Sequence, residues 1–370
     1  MRDSFQVHGF LSQAYILTSN NDFFGNSRSG GSLDFRELGI NASVRPMNKL
    51  QLSAQLLSRR AGGTDDGAVR IDYGFADYTL ISTANVVAGV RAGRITNPLG
   101  FYNETRDAAF TRNGILLPQS IYFDRTRNLA LSADGGGIYG EWRSPIGDFY
   151  LRGNIAFPRA GSESVESALL GRQFPGELEG DASGLGQLLY EGAGGKLRLA
   201  VSGGQVNIDY DEGGIGDPLN AGPLTFEPII FSAQYNTERF SLTAEYAQRS
   251  FRLEGIFPND IDTTGESYYL QASYQLGERW EVMVRFDSLV SDRDDRDGEA
   301  FQAATGRPAF TRFAEDWTVG LRWDVTRQFM LRAEYHHVDG TAWLPSEDSP
   351  NLGSLAPHWD IFAVLASFRF

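Results

Sequence analysis

Near the C-terminal end, Phe362, Val364, Ala366, Phe368 and Phe370 fall on one parity, and Ile361, Ala363, Leu365, Ser367 and Arg369 on the other. A period of two puts these sets on opposite faces of an extended strand. Trp280, Val282, Val284 and Phe286 alternate in the same way with Glu281, Met283, Arg285 and Asp287. Trp317, Val319, Leu321 and Trp323 do so with Asp316, Thr318, Arg322 and Asp324. Phe240, Leu242, Ala244 and Tyr246 repeat the pattern against Ser241, Thr243 and Glu245. Seven short turn-type connections, at 46–49, 82–85, 144–147, 191–195, 236–239, 276–279 and 325–328, separate such segments. They alternate with eight longer polar or glycine-rich stretches, at 19–34, 61–67, 95–128, 159–184, 211–223, 254–263, 291–312 and 339–357. Seven short turns and eight long loops predict sixteen strands, the eighth near Gly186–Tyr190 having the shortest alternation. The even count returns both ends to one side, with the short turns periplasmic and the long loops extracellular.

One apolar and one polar face per strand fits a barrel whose outer wall meets lipid. Arg or Lys at mid-bilayer on that wall would cost about 2–4 kcal/mol. A final strand ending on Phe370 must pair with the first, because no backbone group can stay unsatisfied in hydrocarbon. The sequence therefore predicts an all-β, 16-stranded antiparallel transmembrane β-barrel occupying 1–370 as a single unit. A soluble sandwich, which would bury the same face, is the structural rival. Aromatic girdles at the membrane boundaries are expected to include Trp142, Phe149, Trp280, Phe329 and Trp359.

Composition changes the picture in three ways. No apolar run approaches the roughly 20 residues of a spanning helix, and mean hydropathy is −0.30. With no cysteine, disulfide, thiolate-metal and cysteine-nucleophile chemistry are excluded. A net charge of −14 excludes the basic footprint of a nucleic-acid binder. Met1-Arg2-Asp3 lacks the apolar stretch of an export signal, so a mature form is expected.

Sixteen strands enclose an aqueous channel, which needs a constriction if it is to discriminate. The longest loop, about 95–128, is the candidate. Ile115-Leu116-Leu117-Pro118 and Phe101, Tyr102, Phe110, Tyr122 and Phe123 are too apolar for a loop in solvent, so it is expected to fold into the lumen. The alternative is a surface flap. The expected constriction residues are Arg91, Arg94, Glu104, Arg106, Asp107, Arg112, Asp124, Arg125 and Arg127. Inward parity also collects Arg45, Arg59, Arg70, Arg152, Arg198, Arg285, Arg322 and Arg332 as a slightly basic pore wall, whose members either bind solute or pair with inward acids. Acid crowds the outer loops, at 177–181, 209–212 and 292–297.

Gly93-Arg94-Ile95, Asn97-Pro98-Leu99-Gly100-Phe101-Tyr102-Asn103-Glu104-Thr105-Arg106-Asp107, Leu117-Pro118-Gln119-Ser120-Ile121-Tyr122 and Asp134-Gly135-Gly136 carry a resemblance. This stretch resembles the third-loop region of Gram-negative outer-membrane porins of the phosphate-selective O/P and dicarboxylate (DcaP-like) neighbourhood. The resemblance implies a homotrimer of sixteen-stranded channels, passive diffusion of small hydrophilic solutes, contact with outer-membrane lipid and a third-loop constriction. Phosphate-selective members carry lysine-rich pore ladders, whereas Lys49 and Lys196 are the only lysines here. The function expected is a porin passing small carboxylates or inorganic anions, with no enzymatic activity, cofactor or metal. The alternatives are a structural or adhesion barrel with a plugged lumen, and an outer-membrane hydrolase.

The remaining motifs weigh little. Gly135-Gly136-Gly137-Ile138-Tyr139-Gly140 satisfies G-x-G-x-x-G, but strand residues follow it rather than a helix. The acidic run from Asp292 to Glu299 misses the EF-hand pattern because Arg293 and Arg296 interrupt it. His336 and His337 point to opposite faces, so they cannot chelate together. His358 with Asp360 is the only start of a hydrolytic triad. Phe370 is expected to support assembly, so its deletion should lower the yield of heat-modifiable barrel.

Overall fold

The structure is a computed structural model describing residues 5–370; the opening Met1-Arg2-Asp3 lies outside the described residues. The first eight strands are β1 (Phe5–Thr18), β2 (Ser32–Met47), β3 (Leu50–Ala61), β4 (Asp65–Ser82), β5 (Val86–Thr96), β6 (Ser132–Ser144), β7 (Gly147–Pro158) and β8 (Glu177–Gly192). The second eight are β9 (Leu197–Asp211), β10 (Gly222–Asn236), β11 (Phe240–Leu253), β12 (Ile261–Gln275), β13 (Trp280–Val290), β14 (Phe313–Asp324), β15 (Phe329–Gly340) and β16 (His358–Arg369). Each pairs antiparallel with its sequence neighbours, and β1 pairs with β16, closing the barrel. At the seam, Gly9 N–H donates to Phe370 O (3.1 Å) and Phe370 N–H to Gly9 O (3.0 Å). A Cβ on Gly9 would lie 2.5 Å from the Phe370 ring, so the terminal aromatic packs directly over this glycine.

Burial follows the alternation. Along β16, Phe362 and Phe368 are exposed on the outward parity, while Ile361, Ala363, Leu365 and Ser367 are buried. Buried polar side chains share the inward parity of the other strands: Glu37 on β2, Arg59 on β3, Glu245 on β11, Arg285 on β13 and Glu334 on β15. An apolar outside and a polar inside invert the soluble pattern, as a lipid-facing wall requires.

The strands depart from expectation in two places. β8 begins at Glu177, well ahead of its alternating core, and its leading residues pair with β9 from Asp211 to Asn207. The stretch 177–181, expected as loop, is therefore strand, and the β7–β8 connection holds a helix, Glu163–Leu170. Trp359, expected in a girdle, instead faces inward at 1 % exposure, its Nε1–H donating to Gly340 O (3.0 Å). Trp280 and Trp323 do lie outward, stacked with ring centroids 5.2 Å apart, and Trp142 stacks on Phe149 at 5.3 Å.

Candidate functional site

Two apolar clusters occupy the inner side. One joins Phe23 and Phe24 from the β1–β2 connection and Trp343 and Leu344 from the β15–β16 connection to Ile115 and Leu116 of the β5–β6 segment. The other sets Leu99, Tyr102, Ile121 and Tyr122 of that segment against Val206, Ile230, Ala247 and Tyr269 of the wall. Asp348 ties the outer connections together by accepting from the amides of Phe24, Gly25 and Gly63 at 2.9–3.0 Å. Burial outweighs those amides and pushes its carboxyl up to about 6.

Inward side chains hold the β5–β6 segment by its main chain. Glu334 accepts from Ile115 N–H (2.5 Å) and Leu116 N–H (3.2 Å), and Glu245 from Phe101 N–H (2.9 Å). Ser202 Oγ accepts from Gly100 N–H (2.8 Å), and Gln187 donates to Gly100 O (2.8 Å). Arg285 donates to Leu116 O (3.0 Å) and Arg332 to Gly114 O (2.6 Å) and Arg112 O (2.5 Å). Both peptide N–H and C=O groups, which burial would otherwise leave unpaired, are thus satisfied by the wall.

The expected constriction residues divide by environment. Arg106, Arg112 and Arg127 are buried and tie the segment to itself and to the wall. Arg106 donates to Tyr122 O (3.1 Å), Arg112 pairs with Glu37 (2.7 Å) and Arg127 with Asp107. Asp124 pairs with Arg59 (2.5 Å), which also faces Asp65 (3.5 Å) and Glu37 (3.6 Å). Arg91 pairs with Asp77 (2.9 Å) between the rings of Phe75 and Tyr139, and Glu104 pairs with Arg152. Arg94 corrects the expectation of a pore-facing charge. It shares the outward parity of Val90 and Ala92, pairs with the outward Asp134 (2.7 Å) and donates to Ile71 O (3.0 Å). Gly93 beside it sits at φ +127°, where a Cβ would lie 2.4 Å from Gly74 O, so no other residue fits this crossing.

Among the wall arginines, Arg45 donates to Gln51 (3.0 Å), Arg70 grips Asp65 with both terminal nitrogens (2.9 and 2.6 Å), Arg198 pairs with Glu191 (2.7 Å) and Arg322 with Asp324 (2.9 Å). Arg125 differs. Among the described residues it has no ion-pair partner, and its guanidinium lies 5.6 Å from the Phe123 ring centre, with that of Arg249 at 4.5 Å from the same ring. Arg249 donates to Ser267 Oγ and likewise has no carboxylate partner among the described residues. His336 lies inward between Asp316 (2.8 Å) and Glu334 (3.2 Å), and His337 outward against Asp360 (2.9 Å). Sequence reasoning missed Ser202, Gln187 and Asp348, which are single polar residues with nothing local to set them apart from other inward or loop positions.

A closed antiparallel barrel of sixteen strands, apolar outside and polar within, is the architecture of outer-membrane channels. Solved structures share it along the whole chain. The outer membrane channel DcaP of Acinetobacter baumannii aligns with TM-score 0.62 at 10% identity, covering 99% of this chain and 97% of that one. The anion-selective porin from Comamonas acidovorans aligns with TM-score 0.60 at 14% identity, covering 99% of each chain. OmpT of Vibrio cholerae, in a trimer form, aligns with TM-score 0.61 at 12% identity, covering 99% of each. At such identities the likeness is one of fold. No family model and no curated protein sequence matches the chain.

Proposed function

We propose that this chain is a passive diffusion channel of the Gram-negative outer membrane, assembled as a homotrimer and narrowed by its β5–β6 segment. It passes small carboxylates or inorganic anions at least as readily as cations. The anchoring of that segment to β2, β3, β11, β13 and β15 supports its role as constriction. Arg91, Glu104, Arg106, Asp107, Arg112, Asp124, Arg125 and Arg127 then form or brace the narrow section. The observation that carries the anion preference is the pair Arg125 and Arg249, two guanidinium groups on one ring with no carboxylate in ion-pair reach among the described residues. Most other inward arginines have a carboxylate within ion-pair distance, whereas Arg106, Arg285 and Arg332 donate to main-chain oxygens, so Arg125 and Arg249 add to the uncompensated positive charge of the lumen. Loop charges farther from the narrow section than the screening distance of about 8–10 Å at physiological salt should act on it little.

Purified protein in a planar bilayer should show stepwise conductance, and a KCl gradient should give a reversal potential of zero or chloride-favouring sign. A potassium-favouring sign would refute the anion preference. A monomeric mass in mild detergent by native mass spectrometry would refute the trimer. The apolar packing of Phe23, Phe24 and Trp343 with Ile115 and Leu116 favours a second reading, a plugged structural barrel, which predicts no conductance.

A further inference from the structure

The outer wall is not uniformly convex. A groove of about 410 Å³ crosses it from β13 to β2. Two cross-strand rows line it. The lower row passes from the stacked Trp280 and Trp323 through Leu331 and Ala366 to Gln13, each residue register-paired with the next. The upper row passes from Leu321 through Ala333 and Val364 to Tyr15 and ends beside Leu33. Ala333 and Ala366 form the floor, and larger side chains form the rims. The Gln13 amide nitrogen is turned to the main chain, donating to Ala14 O (2.8 Å), Leu33 O (2.7 Å) and Phe35 O (3.1 Å) at the β1–β2 register shift.

The geometry points to a phospholipid site, with one acyl chain in this groove and the phosphate at its periplasmic end. The four interstrand steps of the lower row, about 4.8 Å each, give a length of about 19 Å. Strands tilted about 40° make such a row rise by about 12 Å, most of the depth of one leaflet, which is half of the roughly 30 Å hydrocarbon core. The row starts low, at Trp280, the first residue of β13, next to the short turns at 276–279 and 325–328. These turns are joined by Asp324 N–H donating to Arg279 O (2.8 Å). Their exposed Arg279 and Arg327 make no ion pair among the described residues, with Glu278 the one acid in the two turns. Stacked tryptophans at the interface, two free arginines below them and an apolar channel rising through most of a leaflet above them match the headgroup-to-tail order of a phospholipid. This site lies on the face opposite to the channel and does not depend on conduction.

The test uses delipidated, detergent-solubilised protein with added dipalmitoyl phosphatidylglycerol, read by native mass spectrometry, with heat-modifiability as the folding control. Wild type should retain one lipid per protomer. The double variant Ala333→Phe with Ala366→Phe, which fills the floor with side chains the lipid face tolerates, should retain it about ten-fold less. Arg279→Gln with Arg327→Gln should weaken retention of the phospholipid to a similar degree, about ten-fold, yet leave retention of dipalmitoylglycerol, which lacks the phosphate, unchanged. Equal lipid retention by wild type and the filled groove would overturn the site. If the filled variant kept its lipid but lost its oligomeric state, the groove would be a contact between copies of this chain. Equal loss of both lipids in the arginine variant would overturn the assignment of the phosphate.

Discussion

Replacing Arg59 with methionine is expected to lower barrel stability by about 3–5 kcal/mol, the usual result of removing one partner from a buried ionic cluster. Arg59 is 2 % exposed and faces three carboxylates at once. Two of them keep another arginine, since Glu37 still pairs with Arg112 (2.7 Å) and Asp65 with Arg70 (2.6 Å). Asp124 does not: its Oδ2 already lacks a partner and its Oδ1 loses the only guanidinium it has. The damage should therefore concentrate on the β5–β6 segment. Thermal unfolding followed by gel mobility should show an earlier transition for Arg59→Met, and adding Asp124→Asn should restore part of the loss. An unchanged transition in the single variant would mean that Asp124 finds another partner and that Arg59 is dispensable as an anchor.

The second large effect concerns selectivity. Substituting Arg125 and Arg249 together by alanine should shift the anion-to-cation permeability ratio toward cations by about five-fold, corresponding to roughly 1 kcal/mol between unit charges about 4 Å apart in water. Neutralising Asp294, Asp295 and Asp297 in the β13–β14 connection should leave the reversal potential almost unmoved. Arg106→Ala is expected to differ in kind. Arg106 braces the segment from within by its bond to Tyr122 O (3.1 Å), so its loss should appear as current noise from a loosened segment rather than as a shift in selectivity. If the acidic-loop variant moved the reversal potential more than the arginine pair, the narrow section would lie elsewhere.

The barrel was legible because lipid enforces one rule on every strand. Phe362 to Phe370, Trp280 to Phe286 and Trp317 to Trp323 each announce an outward face, and the short turns between strands count themselves. The start of β8 was not legible, because Glu177 to Gly184 carries acid on one parity and mostly glycine and alanine on the other, with no run of large apolar residues to mark a lipid face. Arg94 was misplaced for a related reason. Near the rim an outward arginine can be neutralised by Asp134 across the strand pair, so charge ceases to report on facing. Within the site, the sequence pointed to arginines but not to their duties. Arg59, Arg112 and Arg127 differ from Arg125 only in having a carboxylate within reach, and that depends on the path of a 35-residue connection, 97–131, which no periodicity records.

The wall grips the β5–β6 segment through amides and carbonyls, so its hold is blind to most of the side chains it carries. Glu334 would accept from the residues at 115 and 116 whatever they were, and Gln187 would find the same oxygen at position 100. Descendants of such a gene are free to exchange residues such as Thr105 or Thr111, which are exposed on the segment, without rebuilding the seat. New solute preferences can then arise by single substitutions, while the inherited wall preserves the framework across lineages whose sequences have otherwise drifted apart.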